Sequence, residues 1–169
     1  MTDRSILHEL VRNALDASRI DYEALACEPG LADTAEFCRH YGIASEDACN
    51  AILVAVKTTP RRYLACLVRA DTRLDVNRKL ATLAGTKRLS FASAEETASQ
   101  TGMMIGGVSI AGLPAGTPLY IDEQVMERST IIIGGGNRSS KARLAPSELL
   151  KLPHARAVDI AVRSGHSTA

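Results

Sequence analysis

A glycine-rich segment, TGMMIGGVSIAGLPAGTPLYID, runs from Thr101 to Asp122 and carries the clearest chemical signal in the chain. Its five glycines, at positions 102, 106, 107, 112 and 116, let backbone N–H groups approach a ligand closely. Apolar residues alternate with these glycines, which predicts a loop that packs against the protein. A loop of this kind can hold an oxyanion or a phosphate on backbone donors. The alternative is a β-bulge or a corner of a sheet.

Other chemical motifs are incomplete. The segment GGGNRSS (134–140) follows a predicted strand but lacks the spacing of a nucleotide-binding phosphate loop. Ser109 does not lie in a nucleophile elbow, and the four histidines form no motif with serine or cysteine. Cys38 and His40 lack further metal ligands at the usual spacing, and the four cysteines form no C-x-x-C pair. We therefore expect reduced thiols and neither a metal nor a cofactor.

Charge is distributed unevenly along the 169 residues. Residues 1–56 hold four Lys/Arg and ten Asp/Glu, whereas residues 57–169 hold sixteen Lys/Arg and nine Asp/Glu. This asymmetry is compatible with a polyanionic partner at one face, and a solvated surface of both signs is the simpler alternative. No apolar run is long enough to span a membrane, and the acidic, amphipathic N-terminus does not resemble a signal peptide. We expect a cytoplasmic protein.

The residues that could do chemistry must be positioned by a mixture of helices and strands. Capping residues and apolar spacing predict helices from Asp3, Thr34 to Gly42, Asp75 to Gly85, Ser93 to Gly102 and Pro146 to Leu152, with a helical turn at Ser45. Apolar runs predict strands at 20–27, 51–56, 62–68, 89–92, 119–122, 130–133 and 156–160. Because these elements follow no regular strand–helix–strand repeat, we predict one compact α+β domain over residues 1–169, with a curved, mixed sheet and surrounding helices.

Three stretches, in order, resemble the YbaK/ProX-like aminoacyl-tRNA deacylases, which also occur as an insertion domain of bacterial prolyl-tRNA synthetase. They are LDVNRKLATLAG (74–85), the TGMMIGGVSIAG segment with its later Pro118 and Asp122, and IIIGGGNRSS followed by LAPSELL and AVDIA. Thr34-Ala-Glu36 resembles an early family segment, so the resemblance covers about residues 30–161. It implies a mixed α/β fold with a barrel-like sheet. It also implies hydrolysis of mischarged aminoacyl-tRNA without a metal or a protein nucleophile.

The resemblance further implies the residues of the site. Backbone groups of Gly106, Gly107, Val108 and Ser109 would cradle the tetrahedral intermediate, and the functional lysine of the family corresponds to Asn50. Substrate contacts are implied at Thr34, Ile110, Asp122, Gly135, Gly136, Asn137 and Arg138. Arg138 would hold a phosphate. Asp122 would orient the substrate's α-amino group or a loop N–H, and its alternative role is to cap the following turn.

The sequence departs from the family pattern at three of these positions. Asn50 replaces the lysine, Ile110 replaces a proline, and Asn137 replaces the lysine of a G-G-K-R motif. Lys57 cannot take the place of the lysine at 50, because seven residues along a strand reverse the face and span roughly 23 Å. The site therefore loses two cations.

Three functions stay open at this level. The first is a trans-editing deacylase, monomeric or homodimeric, that acts on the acceptor end of aminoacyl-tRNA. The second is a weakened or silent family member that binds tRNA ends, a synthetase or a small amino-acid-like ligand, as Asn50 suggests. The third is an unrelated small-molecule binding domain with a glycine-rich pocket. An apolar lining would suit a small substrate side chain such as that of alanine, and the candidates for it are Met103, Ile105, Val108 and Ile110.

Overall fold

The computed structural model describes residues 3–164, and over that range the chain alternates between strands and helices. The strands are β1 (Glu23–Ala26), β2 (Cys49–Val56), β3 (Arg62–Arg69), β4 (Thr72–Leu74), β5 (Leu89–Phe91), β6 (Leu119–Asp122), β7 (Ile131–Gly134), β8 (Ser140–Leu144), β9 (Ala155–Val158) and β10 (Ala161–Arg163). The α-helices are α1 (Glu9–Ala17), α2 (Thr34–Tyr41), α3 (Ala81–Ala84), α4 (Ala94–Thr101) and α5 (Glu123–Met126). A π-helical turn, Val76–Leu80, leads into α3, and 3₁₀ turns cover Arg4–Ile6, Pro29–Leu31 and Pro146–Lys151.

The described strands form three sheets. The central sheet has the order β5–β2–β3–β6–β9, in which β2 and β3 form an antiparallel hairpin, β6 runs parallel to β3, and β9 runs parallel to β6. A three-stranded antiparallel sheet has the order β1–β8–β7, and β4 pairs with β10. An isolated bridge between Ala48 and Ile132 connects the start of β2 to β7. The predicted mixed α/β fold is confirmed. The described strands close no barrel, however, because they form three separate sheets with open edges.

Apolar side chains cover both faces of the central sheet. On β3, Ala65 and Leu67 point toward the layer that holds α1 and the three-stranded sheet. Leu64, Cys66 and Val68 point to the other side, where they pack against the π-helical turn and α3. This alternation is the expected pleat of a strand that is buried on both faces, and none of the five residues is more than 4% exposed. This burial agrees with the position of β3 as the central strand of the five, whereas its neighbour β2 lies closer to the edge of the sheet.

Two helices begin and end where their capping residues predict. The helix α2 begins at Thr34 and ends before Gly42, and α4 begins after the Ser93 capping box and ends before Gly102. Both glycines have a positive φ, which a residue with a side chain adopts only at a cost. These two helices therefore have boundaries that are set by local sequence.

Other boundaries differ from the prediction. Asp3 caps a 3₁₀ turn, and α1 begins only after His8. The turn at Ser45 is not helical, because too few residues remain before the chain enters the sheet at Ala48. Strands β4 and β10 escape prediction because three residues carry no periodic signal.

Two expectations concern the whole chain. None of the helices in the described range is long and apolar enough to cross a lipid bilayer. The extent of the domain over residues 1–169 stays a prediction, since positions 1, 2 and 165–169 lie outside the described residues.

Candidate functional site

A cleft of about 500 Å³ opens where α2, β2 and the glycine-rich segment meet. Thr34 lines it from the start of α2, Asn50 from β2, and Gly106 and Val108 from the glycine-rich segment. Lys141 on β8 also lines it. The fold thus brings together four residues that the sequence had placed in a site, although they are spread over more than seventy positions of the chain.

The first half of β2 is an open edge of the central sheet at this cleft. Strand β5 pairs only with Val54–Val56, and just beyond that pairing Ala92 N–H donates to the carbonyl of Leu53. Alternate residues of an antiparallel strand direct their backbone groups to the same side. The N–H and C=O of Ala51 therefore face the cleft. An open strand edge offers hydrogen-bonding groups to an extended ligand.

The glycine-rich segment is held against the loop that follows β7. Gly107 N–H donates to Met104 C=O across 2.9 Å and closes a turn. Gly136 N–H donates to Gly107 C=O across 2.6 Å, and Met104 N–H donates to Gly136 C=O across 3.2 Å. A Cβ on Gly107 would overlap the backbone carbonyl of Asn137, so the two loops require glycine to approach this closely. The packed loop predicted from the sequence is the one observed.

Two backbone donors of the glycine-rich segment are left without an acceptor. Gly106 and Val108 line the cleft, and no acceptor among the described residues lies within hydrogen-bond distance of their N–H groups. In contrast, Gly107 N–H is used by the turn, and Ser109 N–H points at the sulfur of Met103, 3.3 Å away. Of the four predicted cradle residues, Gly106 and Val108 therefore keep N–H groups that no described residue uses.

Asn50 and Thr34 form the polar side of the cleft. Thr34 Oγ1 donates to Asn50 Oδ1 across 2.5 Å. This hydrogen bond joins the first residue of α2 to the open edge of β2. It uses the oxygen of the amide, so the Nδ2 group of Asn50 stays available as a donor, with no acceptor among the described residues.

Lys141 is a residue of the cleft that sequence reasoning missed. It is 5% exposed, its Nζ donates to the carbonyl of Ala32 across 2.6 Å, and it lies 5.2 Å from the ring centre of Phe37. No carboxylate of the described chain lies within ion-pair distance of it, and burial lowers the pKa of its ammonium group. The sequence assigned Lys141 no role, because the segment before it lacks the spacing of a phosphate loop. The sequence did not predict that Lys141 is buried, because both of its neighbours on β8 are small residues and give no apolar pattern.

Arg138 braces the site from outside. Its Nη1 donates to Asp33 Oδ1 at 3.2 Å and to Ile105 C=O at 3.0 Å, while its Nε donates to Pro29 C=O at 3.0 Å. A Cβ on Gly106 would overlap this guanidinium group. Arg138 is not among the residues that line the cleft, and it ties the glycine-rich segment to the start of α2. Its contact with a phosphate stays a prediction.

Three other predicted residues are also placed outside the cleft. Ile110 and Ser109 are fully buried, and Ser109 Oγ accepts from Ala111 N–H. Asp122 is fully buried too, and its Oδ1 accepts from the N–H groups of Ile160 and Ala161 at 2.9 and 3.0 Å. Its Oδ2 accepts from the second residue of α5 at 3.1 Å, which is the capping alternative. These residues serve the core and the chain connections rather than the cleft.

The loop after β7 contacts α1 instead of the cleft. Gly135 C=O accepts from His8 N–H, and a Cβ on Gly136 would overlap the side chain of His8. Asn137 Nδ2 donates to Ile6 C=O across 2.9 Å. These three residues therefore contact the N-terminal segment rather than the cleft lining, and their substrate contacts stay a prediction.

Only two of the four residues expected to form the apolar lining are found in the cleft. Ile105 and Val108 line the cleft, whereas Met103 and Ile110 are buried in the core. One cysteine, Cys49, also lines it, and burial raises the pKa of its thiol to about 12. Its thiolate is therefore scarce at neutral pH, and it makes a poor nucleophile. No group of His, Cys, Asp or Glu side chains in the described range is arranged to hold a metal ion.

The sequence of this chain matches one family model and one curated protein. A family model described as aminoacyl-tRNA editing domain matches residues 28–152. A curated protein of Enterococcus faecalis (strain ATCC 700802 / V583), provisionally named Cys-tRNA(Pro)/Cys-tRNA(Cys) deacylase EbsC, is 28% identical over 112 residues. That alignment spans 66% of this chain and 66% of the relative, just under two thirds of its length.

Two crystal structures share the fold. The structure of a hypothetical protein superposes with a TM-score of 0.82 at 24% identity and covers 91% of this chain and 100% of its own. A structure described provisionally as a trans-editing enzyme for prolyl tRNA synthetase has a TM-score of 0.78 at 23% identity, with coverages of 98% and 99%. At these identities the two structures establish the fold.

Proposed function

This chain belongs to the aminoacyl-tRNA editing domain family, and from that premise we propose that it hydrolyses the ester of mischarged aminoacyl-tRNA, releasing free amino acid and tRNA. The family inferred from the sequence motifs is confirmed by the match over residues 28–152. The observation that carries the proposal is the pair of unpaired N–H groups, on Gly106 and Val108, in a cleft that also holds Thr34 and Asn50.

Water is the nucleophile in this proposal. It adds to the carbonyl carbon of the ester, and the carbonyl oxygen becomes an oxyanion. The bond from that carbon to the ribose oxygen then breaks, and a proton passes to the ribose oxygen. The N–H groups of Gly106 and Val108 stabilise the oxyanion, a role in which one donor is typically worth about 3 kcal/mol. Asn50 Nδ2 and the Ala51 backbone groups orient the substrate and the water.

The acceptor end of tRNA reaches this cleft along a second groove. Asn50, Ile52 and Phe91 line both cavities, so the two adjoin. The second groove also carries the guanidinium groups of Arg73 and Arg163, which suit phosphates. Phe91 is 58% exposed at the junction and offers a ring on which a terminal base can stack. A substrate of this kind places the protein's action in the cytoplasm, where aminoacyl-tRNA is used.

The amino acid that fits is a small one. Ile105 and Val108 give the cleft an apolar wall, and the cleft of about 500 Å³ must also take the end of the tRNA. Discrimination by such a wall is limited, because one methylene group is worth only about 1–3 kcal/mol. We therefore expect activity toward several small side chains rather than one.

The second candidate is a silent family member that binds the acceptor end, a synthetase or an amino-acid-like ligand without turnover. The observation that favours it is the neutral Asn50, which is held by Thr34 at the position of the expected lysine. Restoration of the lysine by Asn50→Lys separates the two candidates. A large gain of deacylation from an inactive wild type supports the silent member, whereas robust wild-type turnover excludes it.

A panel of mischarged tRNAs is the direct test of the proposed activity. Each species is incubated with the protein, and the loss of the labelled amino acid is compared with spontaneous hydrolysis in buffer. Acceleration of at least one species that carries a small amino acid supports the proposal. If every species decays at the spontaneous rate, the deacylase function is wrong.

A further inference from the structure

Lys141 has hydrogen-bonding capacity that the fold does not use. An ammonium group carries three donors, and within the described residues Nζ has one acceptor, the carbonyl of Ala32 at 2.6 Å. The residue is only 5% exposed, and no carboxylate of the described chain pairs with it. A buried charge without a counter-ion is costly, so its retention points to a role in a site.

The position of Lys141 links it to the polar side of the cleft. It lines the same cavity as Asn50 and Gly106. Its Nζ holds Ala32, and the side chain of Asn50 holds Thr34, only two residues further along the chain. The two side chains therefore reach the start of α2 from different strands, β8 and β2, and meet at one wall of the cleft.

We propose that Lys141 is a catalytic residue of the deacylation reaction, and that its ammonium group stabilises the negative charge that develops on the ester carbonyl oxygen. This inference rests on the proposed function. It assigns to the cleft a cation that comes from β8, whereas the sequence had led us to count two lysines of the family pattern as lost from the site. The cation acts beside the N–H groups of Gly106 and Val108, and the burial of Lys141 strengthens its effect.

A purely structural role must be separated from this catalytic one. Lys141 also contacts Phe37 of α2, so its loss could loosen that helix without touching the chemistry. The pH dependence distinguishes the roles. The charged form is the active one, and burial lowers the pKa of Lys141, so activity disappears as the pH rises through that pKa. Lys141→Arg keeps the charge to higher pH and moves this loss upward, which a structural clamp does not explain.

The first experiment compares Lys141→Gln with Lys151→Gln in single-turnover deacylation, with rates expressed relative to spontaneous hydrolysis at each pH. Lys151 is the control, since it is half exposed, pairs with Glu148 at 2.7 Å and lies in the 3₁₀ turn before β9. We expect a loss of about 100-fold for Lys141→Gln, as for removal of an oxyanion donor, and less than twofold for the control. Equal rates for the two variants overturn the inference.

The second experiment moves the charge within the cleft. Asn50→Lys is introduced into the Lys141→Gln protein, and we expect it to recover at least about tenfold of the lost rate, one residue's electrostatic contribution being of that order. Thermal unfolding of each variant shows whether the fold is retained. A stable double variant that recovers nothing argues that Lys141 does not act through its charge.

A binding measurement keeps this inference apart from the proposed activity. The probe is adenosine whose 3′-oxygen carries the phosphonate analogue of alanine, which the protein cannot hydrolyse and whose anionic oxygen stands for the oxyanion. Weaker binding to Lys141→Gln than to wild type, with Lys151→Gln unchanged, supports the assignment of Lys141 to the cleft even if no mischarged tRNA is deacylated. If the analogue binds wild type and Lys141→Gln equally, or binds neither, the inference is overturned even if the protein is an active deacylase.

Discussion

Thr34 Oγ1 donates a hydrogen bond to Asn50 Oδ1 across 2.5 Å and joins the N-terminus of α2 to the open edge of β2. The bond orients the Asn50 amide so that its nitrogen, rather than its oxygen, is available to a ligand. No other described side chain can replace Thr34 in this bond. Lys141 and Arg138, which lie nearby, bind the neighbouring residues Ala32 and Asp33 instead. The orientation of the Asn50 amide therefore depends on one hydroxyl group.

Thr34→Val tests that dependence. Loss of the hydroxyl frees the amide to rotate, and we expect deacylation to fall about tenfold with a loss of stability of about 1 kcal/mol, the usual net worth of one hydrogen bond. Thr117→Val is the matched control, since its hydroxyl bonds to Pro114 C=O at 2.6 Å outside the cleft. Single-turnover rates and thermal unfolding are measured together. Equal activity in the two variants would show that Asn50 needs no fixed orientation.

Gly106→Ala tests the close approach of the glycine-rich segment to Arg138. Gly106 has a φ of +90° and its Cβ would overlap the guanidinium group, so we expect loss of activity and of stability. Gly116→Ala is the control, because Gly116 has a φ of +84° with nothing within 4 Å of a Cβ. The control carries only the cost of the left-handed backbone, about 1–2 kcal/mol. A cost for Gly106→Ala no larger than that of the control would contradict the brace.

Asp122→Asn separates a structural carboxylate from a substrate-binding one. The variant loses acceptor capacity toward the three backbone N–H groups that Asp122 satisfies, and hydrogen bonds to a charged group are worth about 1.5–3 kcal/mol each. We expect a clear drop in the free energy of unfolding, measured in urea, while the folded protein keeps its KM for aminoacyl-tRNA. A variant that is as stable as wild type and has a raised KM would show that Asp122 binds the substrate.

Phe91→Ala tests the route of the acceptor end. Base stacking on an aromatic ring is worth about 1–3 kcal/mol, so we expect KM for mischarged tRNA to rise by about 5- to 160-fold. Leu150→Ala is the control, since Leu150 is a similarly exposed apolar residue of the 3₁₀ turn before β9. The kcat of both variants should stay close to that of wild type, because Phe91 does not contact the ester in this scheme. An unchanged KM would place the terminal base elsewhere.

The features that the sequence determined by itself are local ones. The capping residues set the ends of α2 and α4, and the apolar runs set β2 and β3, because these signals depend on residues a few positions apart. The order of short motifs identified the family, which the match over residues 28–152 confirms. The same motifs placed Thr34, Asn50, Gly106 and Val108 in one site, and all four line the cleft.

Only the tertiary structure decided which groups of those motifs face a ligand. Gly107 and Ser109 lie in the predicted cradle, yet their N–H groups are used internally, whereas Asp122 and Arg138 support the chain rather than the cleft. Lys141 enters the site through contact with Ala32, 109 positions away. Burial and the pairing of donors with acceptors arise from contacts between distant segments. A linear pattern of residue types therefore shows that a site exists, and the packing of the strands determines which atoms form it.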